Sequence, residues 1–168
     1  MERMQYIRRA THRDLERLAE IRVFNYRLNF YPIFRDDEYY FDTMRVSREA
    51  EVLKDHLLKT YVYDEGAVKG YVLVYEQEIV HLFVEPVLQG QGIGEALLWF
   101  AVEVMGCNWL WALEKNERAI RFYRRHGFVP TGEKEKEEDP EEYLIRMEKD
   151  VKTTLLPDSP DIKAQKKP

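Results

Sequence analysis

Apolar and polar positions along this chain change period several times, and each change predicts an element. Tyr6 to Arg9 reads as a short first strand. Thr11 then stands as an N-cap with Asp14 three residues on, and Leu15, Leu18, Ala19, Arg22 and Tyr26 follow at helical spacing, with Ile21 and Leu28 in support. That helix runs to about residues 26–28, and Pro32 ends the pattern. A second helical region is expected from about Arg35 to Met44, and a third after a Ser47 N-cap, carrying Ala50, Leu53, Leu57 and Leu58. From Tyr61 the period becomes that of strands: Tyr61-Val62-Tyr63, a turn at Asp64-Glu65-Gly66, then the Val- and Tyr-rich run Val68 to Tyr75. This hairpin feeds a strand at residues 79–84. A helix over 92–105, a short buried strand at Trp109-Leu110-Trp111-Ala112-Leu113 and a helix capped by Asn116 and stopped by Gly127 come next. Phe128 to Thr131 begins a further strand, residues 133–142 form a solvated charged loop, and Tyr143 to Met147 is the last strand.

Strands that alternate with helices in this order predict an α/β (α+β) fold with a mixed central sheet and helices on both faces. The expected organisation is one domain over residues 1–150 and an extended C-terminal tail over 151–168, where Pro157, Pro160 and Pro168 fall. No internal repeat or second domain is visible.

Composition narrows the function classes. A net charge of −5 and a pI of about 5.5 argue against an electrostatic nucleic-acid binder, which is usually basic. The same acidity is compatible with a cationic substrate and with ordinary solubility. The single cysteine, Cys107, cannot form an internal disulfide and lies in an apolar stretch, so it reads as packing. Met1 to Arg9 has interspersed charges and no apolar run, and no stretch approaches a membrane span, which predicts a cytoplasmic protein without membrane attachment.

The chemistry concentrates in residues 78–94, Glu-Ile-Val-His-Leu-Phe-Val-Glu-Pro-Val-Leu-Gln-Gly-Gln-Gly-Ile-Gly. A strand stopped by Pro86 leads into Gly90, Gly92 and Gly94 at alternate positions, and a helix follows at once. The first N–H groups of a helix lack internal partners and, with the helix dipole, favour an anion. A Walker loop needs Lys after its last glycine, and Glu95 follows Gly94. The dinucleotide fingerprint Gly-x-Gly-x-x-Gly fails from either Gly90 or Gly92. A tight turn with no ligand also fits the glycines alone.

What remains is Gln-x-x-Gly-x-Gly, at Gln89, Gly92 and Gly94, and it resembles the coenzyme A pyrophosphate loop of the GNAT superfamily, the Gcn-type N-acetyltransferases. Asn116-Glu-Arg-Ala119-Ile-Arg-Phe122-Tyr123-Arg-Arg-His-Gly127-Phe128 resembles the family stretch Asn-x-x-Ala-x-x-x-Tyr-x-x-x-Gly-Phe, at the family's distance from the loop. The resemblance covers roughly residues 61–149; residues 10–60 match only as a helical region, the part that varies in the family and sets the acceptor. It implies a mostly antiparallel GNAT-like sheet. It also implies an enzyme that moves an acetyl group from acetyl-CoA to a primary amine by direct transfer in a ternary complex, with no metal. The alternative is a non-catalytic acyl-CoA-binding regulatory module. Expected partners are a small-molecule or peptide amine acceptor and a second copy in a homodimer.

The resemblance also assigns residues. Main-chain groups of Leu82, Phe83 and Val84 pair with the pantetheine arm as an added strand, and the N–H groups of Gln89, Gly90, Gln91, Gly92, Ile93 and Gly94 take the pyrophosphate. Tyr123 lies at the family's general-acid position, where a phenol donates to the departing thiolate; taken alone, it reads as an amphipathic core residue. Asn116 is a helix cap, a coenzyme contact, or both. Glu78 resembles the glutamate with which histone-type members deprotonate the amine through water, and otherwise reads as a strand-edge carboxylate. His81 is the rival base, with a structural histidine as the alternative. Eight aromatics between Phe24 and Phe41 surround Asp36, Asp37 and Glu38; they suit an ammonium, and they also suit packing of helices onto the sheet.

Overall fold

The computed structural model describes residues 2–136 and 142–150. The expected tail over 151–168, and residues 137–141 of the expected charged loop, lie outside the described residues.

Strand β1 (Ile7–Arg9) leads into a capping box in which Thr11 and Asp14 each satisfy the other's backbone. Asp14 is held by two bonds from the Arg8 guanidinium, at 2.8 and 2.9 Å, which keep its carboxyl down at about 2. Helix α1 (Leu15–Asn29) follows and buries Leu18, Ala19, Ile21, Val23 and Asn25. Pro32 sits in the first turn of a short helix, α2 (Tyr31–Phe34), where its missing N–H costs nothing, and the chain then reverses through Arg35 at φ 52°. The second helical region is narrower than expected, a single π-helical turn over Glu38–Thr43. Helix α3 (Val46–Lys54) begins before Ser47: the flanking extended residue is Arg45, and Ser47 is an exposed residue of the first turn. Leu57 and Leu58 fall outside α3 in a tight turn over Leu57–Lys59, with Leu57 buried and Leu58 exposed.

The strands are β2 (Thr60–Asp64), β3 (Val68–Tyr75), β4 (Glu78–Val84), β5 (Trp109–Leu113), β6 (Phe128–Lys136) and β7 (Tyr143–Lys149). Helix α4 (Ile93–Trp99) continues as wider π-type turns to Val104, and α5 (Glu117–Arg125) joins β5 to β6. β6 extends past Thr131 into the charged stretch. It is the sheet edge, exposed on every residue after Phe128, so alternating Lys and Glu meet water on both sides. Its register against β7 shifts between Pro130 and Lys134.

The seven strands form one sheet in the order β1-β2-β3-β4-β5-β7-β6. Every neighbouring pair is antiparallel except β4 with β5. Period-two alternation divides the side chains between two faces. Tyr61, Tyr63, Val72 and Val74 pack with Leu97, Leu98, Ala101, Tyr123 and Phe128 under α4 and α5. Val62 and Tyr71 pack with Leu18, Ile21 and Leu53 under α1 and α3. Helices therefore cover both faces, as the order of elements predicts. Cys107 is buried in the first core, and burial pushes its thiol up to about 11, the state of an inert packing residue.

Candidate active site

β4 and β5 touch in parallel at one register pair, Glu78 with Trp109, and then part. The strand from Trp109 onward keeps its antiparallel partner β7 through Leu113, so the gap opens on the β4 side alone. An open cleft of about 1290 Å³ enters this wedge, with Val80 to Val84 on one wall and Trp111 to Leu113 on the other. Small-ligand pockets are typically ~300–1,000 Å³, so this cleft has room for more than one small substrate.

The glycine loop forms the mouth. Gly90 and Gly92 take φ of +79° and +82°, conformations that side chains other than glycine's resist. The N–H groups of Gly90, Gln91, Gly92, Ile93 and Gly94 have no hydrogen-bond acceptor among the described residues. A Cβ built at Gly90 would meet nothing within 4 Å. The loop thus presents a row of open donors toward open space, which suits a pyrophosphate. It is braced from behind by the N-terminal turn, where Arg3 donates to the carbonyl of Gln91 and its guanidinium lies against Gly92. The Gln89 side chain turns inward instead, donating to Asn25 Oδ1 at 3.1 Å and to the Val84 carbonyl at 3.2 Å.

The α5 motif faces the same cleft. Asn116 caps the helix, its Oδ1 accepting the Ala119 N–H at 3.2 Å, and both residues line the cleft. Phe122 packs beneath Gly94. Tyr123 lines the cleft with its ring buried against Phe128, at 5.9 Å between centroids. Its Oη makes no hydrogen bond among the described residues. Burial raises the phenol well above its ordinary value, so the hydroxyl keeps its proton.

The two expected bases part company. His81 lines the cleft, and its Nδ1 is enclosed without a hydrogen-bond partner among the described residues. Desolvation, with the nearby Arg22 charge, lowers it to about 3, so the ring is neutral and weakly basic. Glu78 is half-buried at the closed end of the wedge, outside the cleft lining. Desolvation raises its carboxyl, partly offset by Arg146.

The aromatic segment packs helices, and part of it also borders the cleft. Tyr26 meets Phe30 edge-on at 4.6 Å, and Tyr31 contacts Tyr40 and Phe41 at 5.8 and 5.0 Å, around buried Val23 and Met44. Tyr26, Phe30, Phe34, Tyr39 and Tyr40 also line the cleft, with Asp36 among them. Sequence reasoning missed Asn25, Asn29, Trp111, Arg118 and Arg125, which also line the cleft, as do Glu95, His126 and Leu144. For Asn25 a signal existed: it is an amide at the position where the α1 periodicity from Leu18 and Ile21 calls for an apolar side chain.

Residues 56–130 match the family model described as an acetyltransferase (GNAT) domain. The chain is 30% identical over 86 residues to a peptidyl-lysine N-acetyltransferase, YjaB, of Salmonella typhimurium, a match spanning 51% of this chain and 59% of that protein. It is 33% identical over 66 residues to YjaB of Escherichia coli, spanning 39% of this chain and 45% of that protein. In neither case does the match reach two thirds of the relative's length. Among solved structures, apo YjaB from Escherichia coli superposes over 84% of this chain and 95% of its own, with TM-score 0.67 and 23% identity. The PaiA N-acetyltransferase from Thermoplasma acidophilum, in complex with coenzyme A, superposes over 84% of this chain and 97% of its own, with TM-score 0.66 and 19% identity.

Proposed function

We propose, from the GNAT acetyltransferase domain that this chain carries, that it transfers an acetyl group from acetyl-CoA to a primary amine, directly and in a ternary complex. The observation that carries this reading is one cleft with three features in order: open loop amides at its mouth, two parted strands along its walls, and the unbonded Tyr123 hydroxyl within. The amides of Gly90 to Gly94 would hold the pyrophosphate, and the edge of β4 at Leu82 to Val84 would pair with the pantetheine arm. A lysine side chain of a peptide is the acceptor class, by analogy with the peptidyl-lysine N-acetyltransferase YjaB. The aromatic wall with Asp36 suits its approach as an ammonium.

In the transfer, the neutral amine nitrogen attacks the thioester carbonyl carbon, a C–N bond forms, and the C–S bond breaks. Tyr123 donates its Oη proton to the departing thiolate; burial keeps the phenol protonated and so ready for that role. The ammonium's proton leaves before attack; the second proton, lost from nitrogen as the tetrahedral intermediate collapses to the amide, passes to water and balances the one that the Tyr123 phenolate takes back. His81 stands in the cleft but is a weak base; Glu78 is the stronger base and would act through water from the closed end of the wedge.

The test is thiol release from acetyl-CoA across a panel of amines that includes lysine-containing peptides, with mass spectrometry of the products. Acetylated peptide carrying one acetyl per thiol released supports the reading. Coenzyme binding without turnover on any amine would overturn it in favour of a non-catalytic acyl-CoA-binding module.

A further inference from the structure

We infer that Asn25 is a positioning residue for the coenzyme side of the cleft, an amide through which α1 sets the glycine loop and the end of β4. The inference rests on residues 89–94 being the coenzyme loop, as proposed above. Asn25 is 2% exposed, in the middle of a helix where asparagine is a poor former. A buried amide at that place is costly unless its donors and acceptors are used. All are used. Its Nδ2 donates to the Ile21 carbonyl at 2.8 Å and to the Val84 carbonyl at 2.9 Å. Its Oδ1 accepts from Gln89 Nε2 at 3.1 Å and from Asn29 Nδ2 at 3.4 Å. An asparagine amide has two N–H donors and an oxygen with two lone pairs, so the set is complete. Two carbonyls on one side also fix which end is nitrogen.

These contacts join three parts of the cleft. Val84 ends β4, the wall along which the pantetheine would lie. Gln89 opens the loop, and its Nε2 bonds both Asn25 and the Val84 carbonyl, closing a ring of three groups. Asn29 and Tyr26, next on α1, line the acceptor side. The same amide therefore fixes where the loop's donors point and ties that direction to the helix bearing the acceptor wall. A leucine at position 25 could contact neither Val84 nor Gln89 through hydrogen bonds, so the polar residue has a consequence for the loop.

The experiment is calorimetric titration of the full chain with coenzyme A, for wild type, Asn25→Ala, Gln89→Met and the double variant. Gln89 is a half-buried loop residue, so Gln89→Met decides the matter even where Asn25→Ala folds poorly. Each single change should raise the coenzyme Kd about 5- to 20-fold, as expected for one or two lost hydrogen bonds. The double variant should cost less than the two singles added together, because both remove the Asn25–Gln89 bond. In steady state, KM for acetyl-CoA should rise while kcat at saturation stays within about threefold. Coenzyme A should also slow amide exchange in α1 of wild type, and less so in Gln89→Met. Wild-type Kd per folded molecule in both single variants, or a fall in kcat with unchanged KM, would overturn the inference. A wild-type chain with no coenzyme affinity would overturn the coenzyme reading itself, and the inference with it.

Discussion

Glu78 and Trp109 form the one register pair that joins β4 to β5, and the strands part immediately beyond it. A parallel pair that continued would close the sheet and leave no cleft. The pair fixes the apex of the wedge, and side-chain size along the walls decides what can enter. Ala119, on α5, lines the cleft with a methyl group.

Ala119→Phe should therefore fill the path proposed for the coenzyme. Because Ala119 borders the cleft, thermal unfolding should move by only a few degrees. The coenzyme Kd, measured by titration, should rise on the order of tenfold or more, about 1.4 kcal/mol. Unchanged affinity would put the coenzyme elsewhere.

Gly94→Asp separates charge from backbone strain. Unlike Gly90 and Gly92, Gly94 has no positive φ, and its added Cβ would meet Phe122 and Val84 at ordinary contact, 3.6 Å. The new carboxylate stands at the first turn of α4 and competes with the pyrophosphate for the same amides. Coenzyme binding should be lost while the fold, followed by circular dichroism, is kept. Undiminished affinity would remove the loop from the coenzyme site.

The sequence made part of this site legible and hid the rest for a physical reason. Glycine spacing and the Asn116-to-Phe128 stretch are local patterns, and the loop and α5 stand where those patterns put them. The capping box at Thr11 and Asp14 is local too. Ser47 has the side chain of a cap but not its place, since Arg45 is extended at ψ 151° and takes the flanking position. The parting of β4 from β5 depends on pairings between residues some thirty apart in the chain, which no local period records. Asn25 belongs to the same class: its partners Val84 and Gln89 are 59 and 64 residues away.

Stability should depend on pH through His81. Its folded pKa of about 3 lies below the ordinary 6.5, so between those values the unfolded chain binds a proton that the folded chain refuses. The contribution is present in full above about pH 6.5 and is lost as pH falls toward 3. Its slope approaches roughly 1.4 kcal/mol per pH unit within that window. His81→Phe removes the proton site and keeps a ring. Denaturant unfolding from pH 7.5 to 4.5 should show wild type losing stability faster than His81→Phe. The difference isolates His81 from the carboxylates, Glu78 among them, whose raised pKa acts in the opposite direction. Parallel pH profiles would mean that the ring is protonated in the folded state.

Tyr123→Phe is the sharpest test of mechanism, since it keeps the buried ring and removes only the hydroxyl. That hydroxyl makes no hydrogen bond among the described residues, so its loss leaves no broken partner inside the protein. Packing against Phe128 survives, and the unfolding temperature should hold or rise slightly. If the phenol gives its proton to the leaving thiolate, turnover should fall roughly 10²–10⁴-fold, the usual worth of a general acid. The loss should appear equally in kcat and kcat/KM, because the interaction is made in the transition state. Coenzyme affinity should stay near wild type. The pH profile adds a second readout. Burial lifts the phenol above its ordinary range, so any fall in rate at high pH that belongs to this group should begin later than for a solvent-exposed tyrosine and be absent in the variant. Steady-state kinetics on a lysine-containing peptide, beside thermal unfolding, gives both. Wild-type turnover in Tyr123→Phe would leave water or the substrate as the proton source and return Tyr123 to the core.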